Sequence, residues 1–564
     1  MLIRVISGNF LISILNQSTL FIQDKILMSD KIFQKFAEDL FNSILELDPQ
    51  AGSWLGLHEY DGKIGDLSEE GMNNEMKIYK DHYSALMSIN RDELSRINKY
   101  DFDMAKWAIE SALFQLEEIK SYKHNPRFYI SVFSGLDNYV KREYAPFDER
   151  LKSIISIMEK ITESLKTAEK NLGKSLPSVF CKYAKHSALG FEDFFQHKLN
   201  TEIKERTLDK ELISRYEKAS AEAVEAFEEF SKFIDSVNSE SDESYRLGKD
   251  KFLKMLKITE HIDLSIEELK RMGKEELKRL QSEMKKVLKE NDFEGKLDTL
   301  EHTHPNEDNL IEETRNMLSE LIDFIRQKDI VSLPETLNCI VTEMPKYDDF
   351  GFAAMGTAGP FEKSDESFYY VNLPDKDWDE KKKEEWMTQF NYPTLRLISI
   401  HEAYPGHYTH FLNANEKSTR LSKLFMSYSY VEGWAHYTEE MMIDQGYKKD
   451  DFTSKIGMLI EALIRCCRYN VAIGIHCDNM TLEEAKKYFL ENAYMTETTA
   501  MQEAERGAFD PGYLNYTLGK IYLKKFKEKY FEKFRDTKTL RDFHDQVVSL
   551  GCPTYRIAEE YVLG

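Results

Sequence analysis

Ser399-Ile-His401-Glu402-Ala-Tyr-Pro405-Gly406-His407-Tyr-Thr-His410, followed after a short interval by Val431-Glu432-Gly433-Trp434-Ala435-His436-Tyr437, is the part of this chain that decides its reading. Two histidines with a glutamate beside the first, and a second glutamate on the next helical segment, are the parts of a zinc site that activates water. The usual arrangement has histidines four apart, about 40° from each other around a helix. Here Pro405 occupies the fourth position and His407 is six residues from His401. On an unbroken helix that offset is roughly 240° and separates the rings. Proline cannot donate to the carbonyl of His401, and glycine tolerates unusual dihedrals, so Pro405-Gly406 lets the helix bulge or break and swing His407 back.

A working zinc ion needs three protein ligands and one open position. The expected ligands are His401, His407 and Glu432, the last 25 residues beyond His407 and within reach of a helix-loop-helix return. Glu402 is then the base that takes a proton from the attacking water and passes it to the leaving amine. Five of the 14 histidines fall within 401–476. His410 and His436 remain alternative ligands if the helix does not break. Glu439 and Glu440 are placed to hold a ligating imidazole by its second nitrogen, or simply to be solvated.

These residues resemble a known family. His401-Glu402-x-x-Pro405-Gly406-His407 with Glu432-Gly433-Trp434-Ala435-x-Tyr437 is similar to the signature of the "domain of unknown function eight-eight-five" family. Through these motifs that family resembles the glutamate-zincin metallopeptidases, such as thimet oligopeptidase and the Taq-type carboxypeptidase. The likeness extends to Leu47-Asp48-Pro49, Gly56-x-His58-x-Tyr60-Asp61, Tyr370-Val371-Asn372 and Pro511-Gly512-x-x-x-Tyr516-x-Leu518-Gly519. Two departures are His410, where the family usually has glutamine, and Ala472, where an aspartate is expected before His476. The resemblance implies a mainly α, zincin-like body with a small sheet beside the metal, one zinc per chain, and peptide substrates. It also implies a tyrosine or histidine donor for the developing oxyanion, with His476, Tyr513 and Tyr516 as candidates. Arg506 is a candidate for neutralising a substrate carboxylate, which would make the enzyme a carboxypeptidase rather than an oligopeptidase.

Around this centre the chain is largely helical. In 564 residues, 41% hydrophobic and 31% charged, there is material for two lobes or one large helical body. We expect a helical lobe over 30–340 and a metal-binding lobe over 341–564. The stripe Leu212, Tyr216, Ala219, Ala223, Phe227, Phe230 and Ile234 predicts a core-facing helix. Ser265-x-x-Glu268 and Thr481-x-x-Glu484 are capping boxes. The first opens a charged helix to about Lys289 that reads as solvated. His302-Thr-His304-Pro-Asn-Glu307-Asp308 reads as a solvated loop without a distant third ligand. Ser367–Asn372 alternates like a short strand, and a free edge on it, bearing Tyr370 and Asn372, would pair with an extended substrate.

A charge of −23, from 76 basic and 99 acidic side chains, argues against nucleic acid and against anionic lipid as partners. Six cysteines without a C-x-x-C pair do not make a disulfide framework, so a cytoplasmic location is expected. In residues 1–29, Arg4 and the apolar Phe10–Leu15 have a weak signal-peptide look. Asn16, Gln17 and Ser18 interrupt it, so Met28-Ser29-Asp30 is read as the true start. The competing readings are a metal hydrolase of another amide or ester, and a non-catalytic metal-stabilised scaffold.

Overall fold

The expected core-facing stripe does build a helix. In the computed structural model, which describes the backbone of residues 2–346 and 351–564 and the side chains from Lys25 on except Asp536, Lys210–Val237 is helical and every stripe residue is buried. The apolar run and the polar residues that interrupt it in residues 1–24 concern side chains outside the described residues. We number the elements used below in chain order: α1 (Leu2–Leu47), α2 (Phe147–Asn171), α3 (Ser178–Asp193), α4 (Lys210–Val237) and α5 (Ile266–Glu290) come first. Strands β1 (Cys339–Glu343), β2 (Ala353–Gly356) and β3 (Ser367–Val371) follow. Then come α6 (Glu380–Met387), α7 (Tyr392–Glu402), α8 (His407–Lys417), α9 (Tyr428–Asp444), α10 (Phe452–Cys477), α11 (Glu497–Phe509) and α12 (Asn515–Phe534).

The molecule is mainly α. One apolar core is made by residues between Phe33 and Ile234, joined by Leu421, and includes α4 packed on α2 and α3. A second draws chiefly on residues from Tyr245 to Val562. The changeover in packing therefore falls between Ile234 and Tyr245, well before the boundary at 340 read from sequence texture. The reason is α5. Its exposed face carries ion pairs one turn apart, such as Arg271 with Glu275 at 3.1 Å and Arg279 with Glu283 at 3.2 Å. Its other face buries Leu269, Leu280, Met284 and Val287 against α10, so it is amphipathic rather than solvated all round. Both capping boxes form.

The small sheet has the order β1-β3-β2, with β3 parallel to β1 and antiparallel to β2. It lies against α7, and Tyr369 on β3 reaches Ser399 with its hydroxyl at 3.3 Å. The loop from β2 to β3 is tied to the first lobe. The buried Arg142 guanidinium donates to the carbonyls of Gly356, Thr357 and Glu366, and the Phe361 amide donates to Leu55. His58 bridges Asp61 at 3.1 Å and Glu362 at 3.0 Å while stacked on Tyr144. The Gly56-x-His58-x-Tyr60-Asp61 segment thus helps to hold the sheet in place. Among the described residues no helix is long and apolar enough to cross a membrane. All six cysteines are unpaired.

Candidate metal centre

The first motif breaks where Pro405 and Gly406 fall. Helix α7 ends at Glu402 and α8 begins at His407, with a cis Tyr404–Pro405 bond between them. The Gly406 amide donates to the Ile400 carbonyl at 3.0 Å, closing the turn. A Cβ on residue 406 would run into the carbonyls of Ile400 and His401, so only glycine fits. Trp434 of the second motif donates its indole N–H to the Pro405 carbonyl at 2.9 Å, bracing that turn from α9. Glycine also governs the next layer. A Cβ at Gly433 would sit 2.5 Å from the backbone of Gly519, and the two residues let α9 and α12 cross closely.

This geometry brings the three expected ligands together. Nε2 of His401 lies 3.2 Å and Nε2 of His407 lies 3.5 Å from the same oxygen, Oε2 of Glu432. The two imidazoles are perpendicular, with centroids 4.8 Å apart. Donor atoms of His401, Glu402 and His407 also lie within 4.8 Å of one another. Both sets share the histidines, but the Glu432 oxygen is buried within 3.5 Å of both imidazole nitrogens, whereas Glu402 lines the cavity. Glu432 is therefore the better-placed candidate for a third donor, and Glu402 faces the open side.

The donor set fits zinc. Nδ1 of His401 donates to Oε1 of Glu439 at 2.7 Å, which leaves Nε2 of a neutral ring presenting its lone pair to a carboxylate oxygen. Glu432 Oε2 makes no hydrogen bond of acceptable geometry, and His407 Nδ1 has no partner either. A cation between these acceptors removes the conflict. Tetrahedral zinc with bonds near 2.1 Å separates its ligands by roughly 3.4 Å, close to the observed spacings. Without one, a proton takes its place. Burial and Arg465 push the His401 pKa down, but hydrogen bonds to Glu432 and Glu439 more than offset them and raise it to about 9.

Glu439 orients this histidine. Burial alone would raise its pKa, yet Arg465, His436 and His401 hold the carboxyl well below the usual range. Arg465, 3.1 Å from it, is a charged residue inside the apolar helix α10 and the contributor that sequence reasoning missed. Its visible signal was a cation, with Arg468 one turn on, within an otherwise apolar run. Glu440 instead joins Arg279, Lys520 and Lys524 in an ion-pair network behind α9.

The alternatives to these ligands are occupied elsewhere. His410 donates from Nε2 to the Gly551 carbonyl at 3.0 Å, and burial lowers its pKa to about 4. His436 faces Glu439 at 3.3 Å, and burial with Lys520 lowers its pKa to about 3. His476 donates to the Gly507 carbonyl at 2.8 Å and accepts from the Leu247 amide, outside the cavity, so both ring nitrogens are committed. Tyr513 is fully buried, packed against Gly507, and does not line the cavity. Of the three oxyanion-donor candidates, only Tyr516 lines the cavity. Its ring lies 6.1 Å from that of His401, and its hydroxyl accepts from Arg506 at 3.1 Å, leaving its own proton free to donate. Arg506 also donates to Tyr428 and Asp510, so it is a holder of Tyr516 rather than an uncommitted cation.

The strand expected to carry a free edge does not have one. β3 sits between its neighbours, so its backbone is already paired, and Tyr370 points towards Asp137 and Lys141 rather than into the cavity. Asn372 does line the cavity, but its side-chain amide donates to Gly351. Of the two outer strands, β2 puts Ala353 and Ala354 on the cavity wall and β1 puts Glu343 there. The loop histidines 302 and 304 do gain a distant carboxylate, Glu384, at 3.4 and 3.3 Å, in an exposed ion pair.

The metal centre opens into a cavity of about 1410 Å³ walled by both lobes. At one side Lys182 and Tyr183 of α3 hold Glu505 of α11, at 2.7 and 2.9 Å. Residues 49–562 match the model of DUF885, described as bacterial proteins of unknown function. The chain belongs to that family. Two solved structures share its fold. One is a candidate lipoprotein of unknown function from Shewanella oneidensis, with TM-score 0.77 and 23% identity, covering 94% of this chain and 100% of its own. The other is a candidate lipoprotein from Colwellia psychrerythraea, with TM-score 0.80 and 17% identity, covering 94% and 98%. A search of curated proteins finds no match. Cytoplasmic residence, expected from the thiols, gains no support from these relatives.

Proposed function

We propose that this DUF885 member is a zinc-dependent metallopeptidase of glutamate-zincin type, acting on oligopeptides or peptide C-termini. The observation that carries the reading is the convergence of two imidazole nitrogens on one buried, otherwise unpartnered carboxylate oxygen beside a cavity-facing glutamate. His401, His407 and Glu432 would hold the ion, with Glu439 fixing the His401 ring. When bound, zinc supplies Lewis acidity to a water and to the scissile carbonyl. Glu402 takes a proton from the attacking water and returns it to the leaving amine. Tyr516, held by Arg506, donates its hydroxyl proton to the oxygen on which charge develops. The outer edge of β2 offers main-chain groups to an extended peptide, whatever its side chains. A cavity walled by two lobes admits a flexible chain and excludes a folded protein.

A non-catalytic scaffold has no use for Glu402 on the open side. Glu402→Gln is expected to keep its metal and lose hydrolysis of a mixed peptide library by several orders of magnitude. Unchanged cleavage removes Glu402 from its role. Hydrolysis of esters or non-peptide amides but no peptides turns the assignment to another metal hydrolase.

A further inference from the structure

We infer that Phe352, Trp378 and Trp386 form a specificity subsite for a large apolar or aromatic side chain of the peptide, several residues from the bond that is cut. The inference rests on the peptidase reading and adds a substrate class to it.

The cavity has two chemically different ends. On the α10 and α11 side its guanidinium groups are each matched by a carboxylate: Arg465 with Glu461, Arg468 with Glu503 and Arg506 with Asp510. Charge there is balanced. From His401 towards the start of α7, Ile398 and Thr394 continue the cavity wall. At 1.5 Å per residue Thr394 lies about 10 Å from His401. The aromatic rings lie at this end: Phe352 meets Phe390, two residues before the start of α7, with ring centroids 6.0 Å apart. An extended peptide advances roughly 3.3 Å per residue, so the rings meet a side chain about three or more residues from the scissile bond.

The site is built and partly open. Phe352 and Trp386 have ring centroids 5.0 Å apart, and Trp378 meets Trp386 edge to face at 5.5 Å. The Trp386 indole N–H donates to the Asn372 carbonyl at 2.9 Å, which fixes the ring and satisfies its polar edge. All three side chains keep intermediate exposure and line the cavity. Phe352 directly precedes β2, so a peptide paired along that strand runs towards the rings. Aromatic faces of this kind gain by burying apolar surface and by offset or edge contacts with another ring.

Zinc-loaded enzyme and a mixed peptide library with sequenced products test this. We expect Phe, Tyr, Trp, Leu or Met at a single position to be preferred over Ala or Gly by roughly ten- to a hundredfold in kcat/KM. Trp378→Ala and Trp386→Leu, each checked for zinc content and circular dichroism, should flatten the preference by lowering kcat/KM for peptides with Phe there far more than for peptides with Ala there. Absence of any apolar preference, or a preference that survives both substitutions, overturns the subsite. Calorimetric binding to Glu402→Gln of a peptide with Phe at the preferred position, or across a position scan if nothing is cleaved, separates the two claims. Tighter binding of Phe than Ala peptides, lost in Trp378→Ala, keeps the subsite even if the peptidase reading fails; no difference overturns it.

Discussion

At the scale of single residues, the pair His401 and Glu439 carries the strongest constraint on the site. The carboxylate accepts from Nδ1 at 2.7 Å, which fixes both the ring's orientation and which nitrogen faces Glu432. Loss of such a partner typically weakens metal binding by ten- to a hundredfold. Glu439→Gln should therefore lower zinc affinity by about that factor in a competition with a chelator, without loss of helical content. Equal affinity would reduce Glu439 to packing. The convergence of His401, His407 and Glu432 was legible because they combine with a Pro-Gly pair that explains their odd spacing. Which spare histidine stays out was not legible, since the hydrogen bonds of His410 to Gly551 and His476 to Gly507 join residues far apart in sequence. Arg465 was hidden for the same reason: its partner Glu439 comes from another helix.

At the scale of elements, the site depends on α9 and α12 approaching until their backbones touch at Gly433 and Gly519. This crossing brings Tyr516 beside His401 and sets Glu432 opposite both imidazoles. Gly433→Ala forces a Cβ against the Gly519 backbone, and overpacking of this kind costs about 1–3 kcal/mol. We expect a lower thermal midpoint and weakened zinc binding together; unchanged stability would mean that the helices part without cost. The sequence marks both glycines inside its motifs but cannot say that they face each other. The sheet gives a similar lesson. Ser367–Val371 has the alternation of a strand, and it is one, yet alternation carries no information about its neighbours. The free edge went instead to β2, a short stretch after residues 347–350, which lie outside the described ones. Helix α5 was misread as solvated because its charges are dense, although its apolar positions recur at helical spacing.

At the scale of the whole molecule, the half that carries the candidate metal centre is held to the first lobe through the β2–β3 loop. Burial lowers the His58 pKa, but its hydrogen bonds to Asp61 and Glu362 outweigh this and raise it to about 9. A raised histidine pKa means that the folded state holds the proton more tightly than the unfolded chain does. The stabilisation is complete below about pH 6.5 and is lost as pH climbs through 9. It amounts to at most roughly 3 kcal/mol. The thermal midpoint should fall between pH 6 and pH 9.5 more steeply in the native protein than in His58→Gln. Parallel pH profiles would contradict the clamp. Composition and periodicity announced a large, mainly helical body, and the two capping boxes fell where they were expected. The boundary expected at 340 follows a change of texture at the proline-rich segment after Ile330, whereas the two apolar cores change over near the end of α4.

The central claim is that His401, His407 and Glu432 share one zinc ion, and elemental analysis of the purified chain tests it most directly. The expected result is about one zinc per chain, retained in Glu402→Gln and lost in His401→Ala. A chain that binds no zinc, or that keeps a full equivalent after His401→Ala, would contradict it.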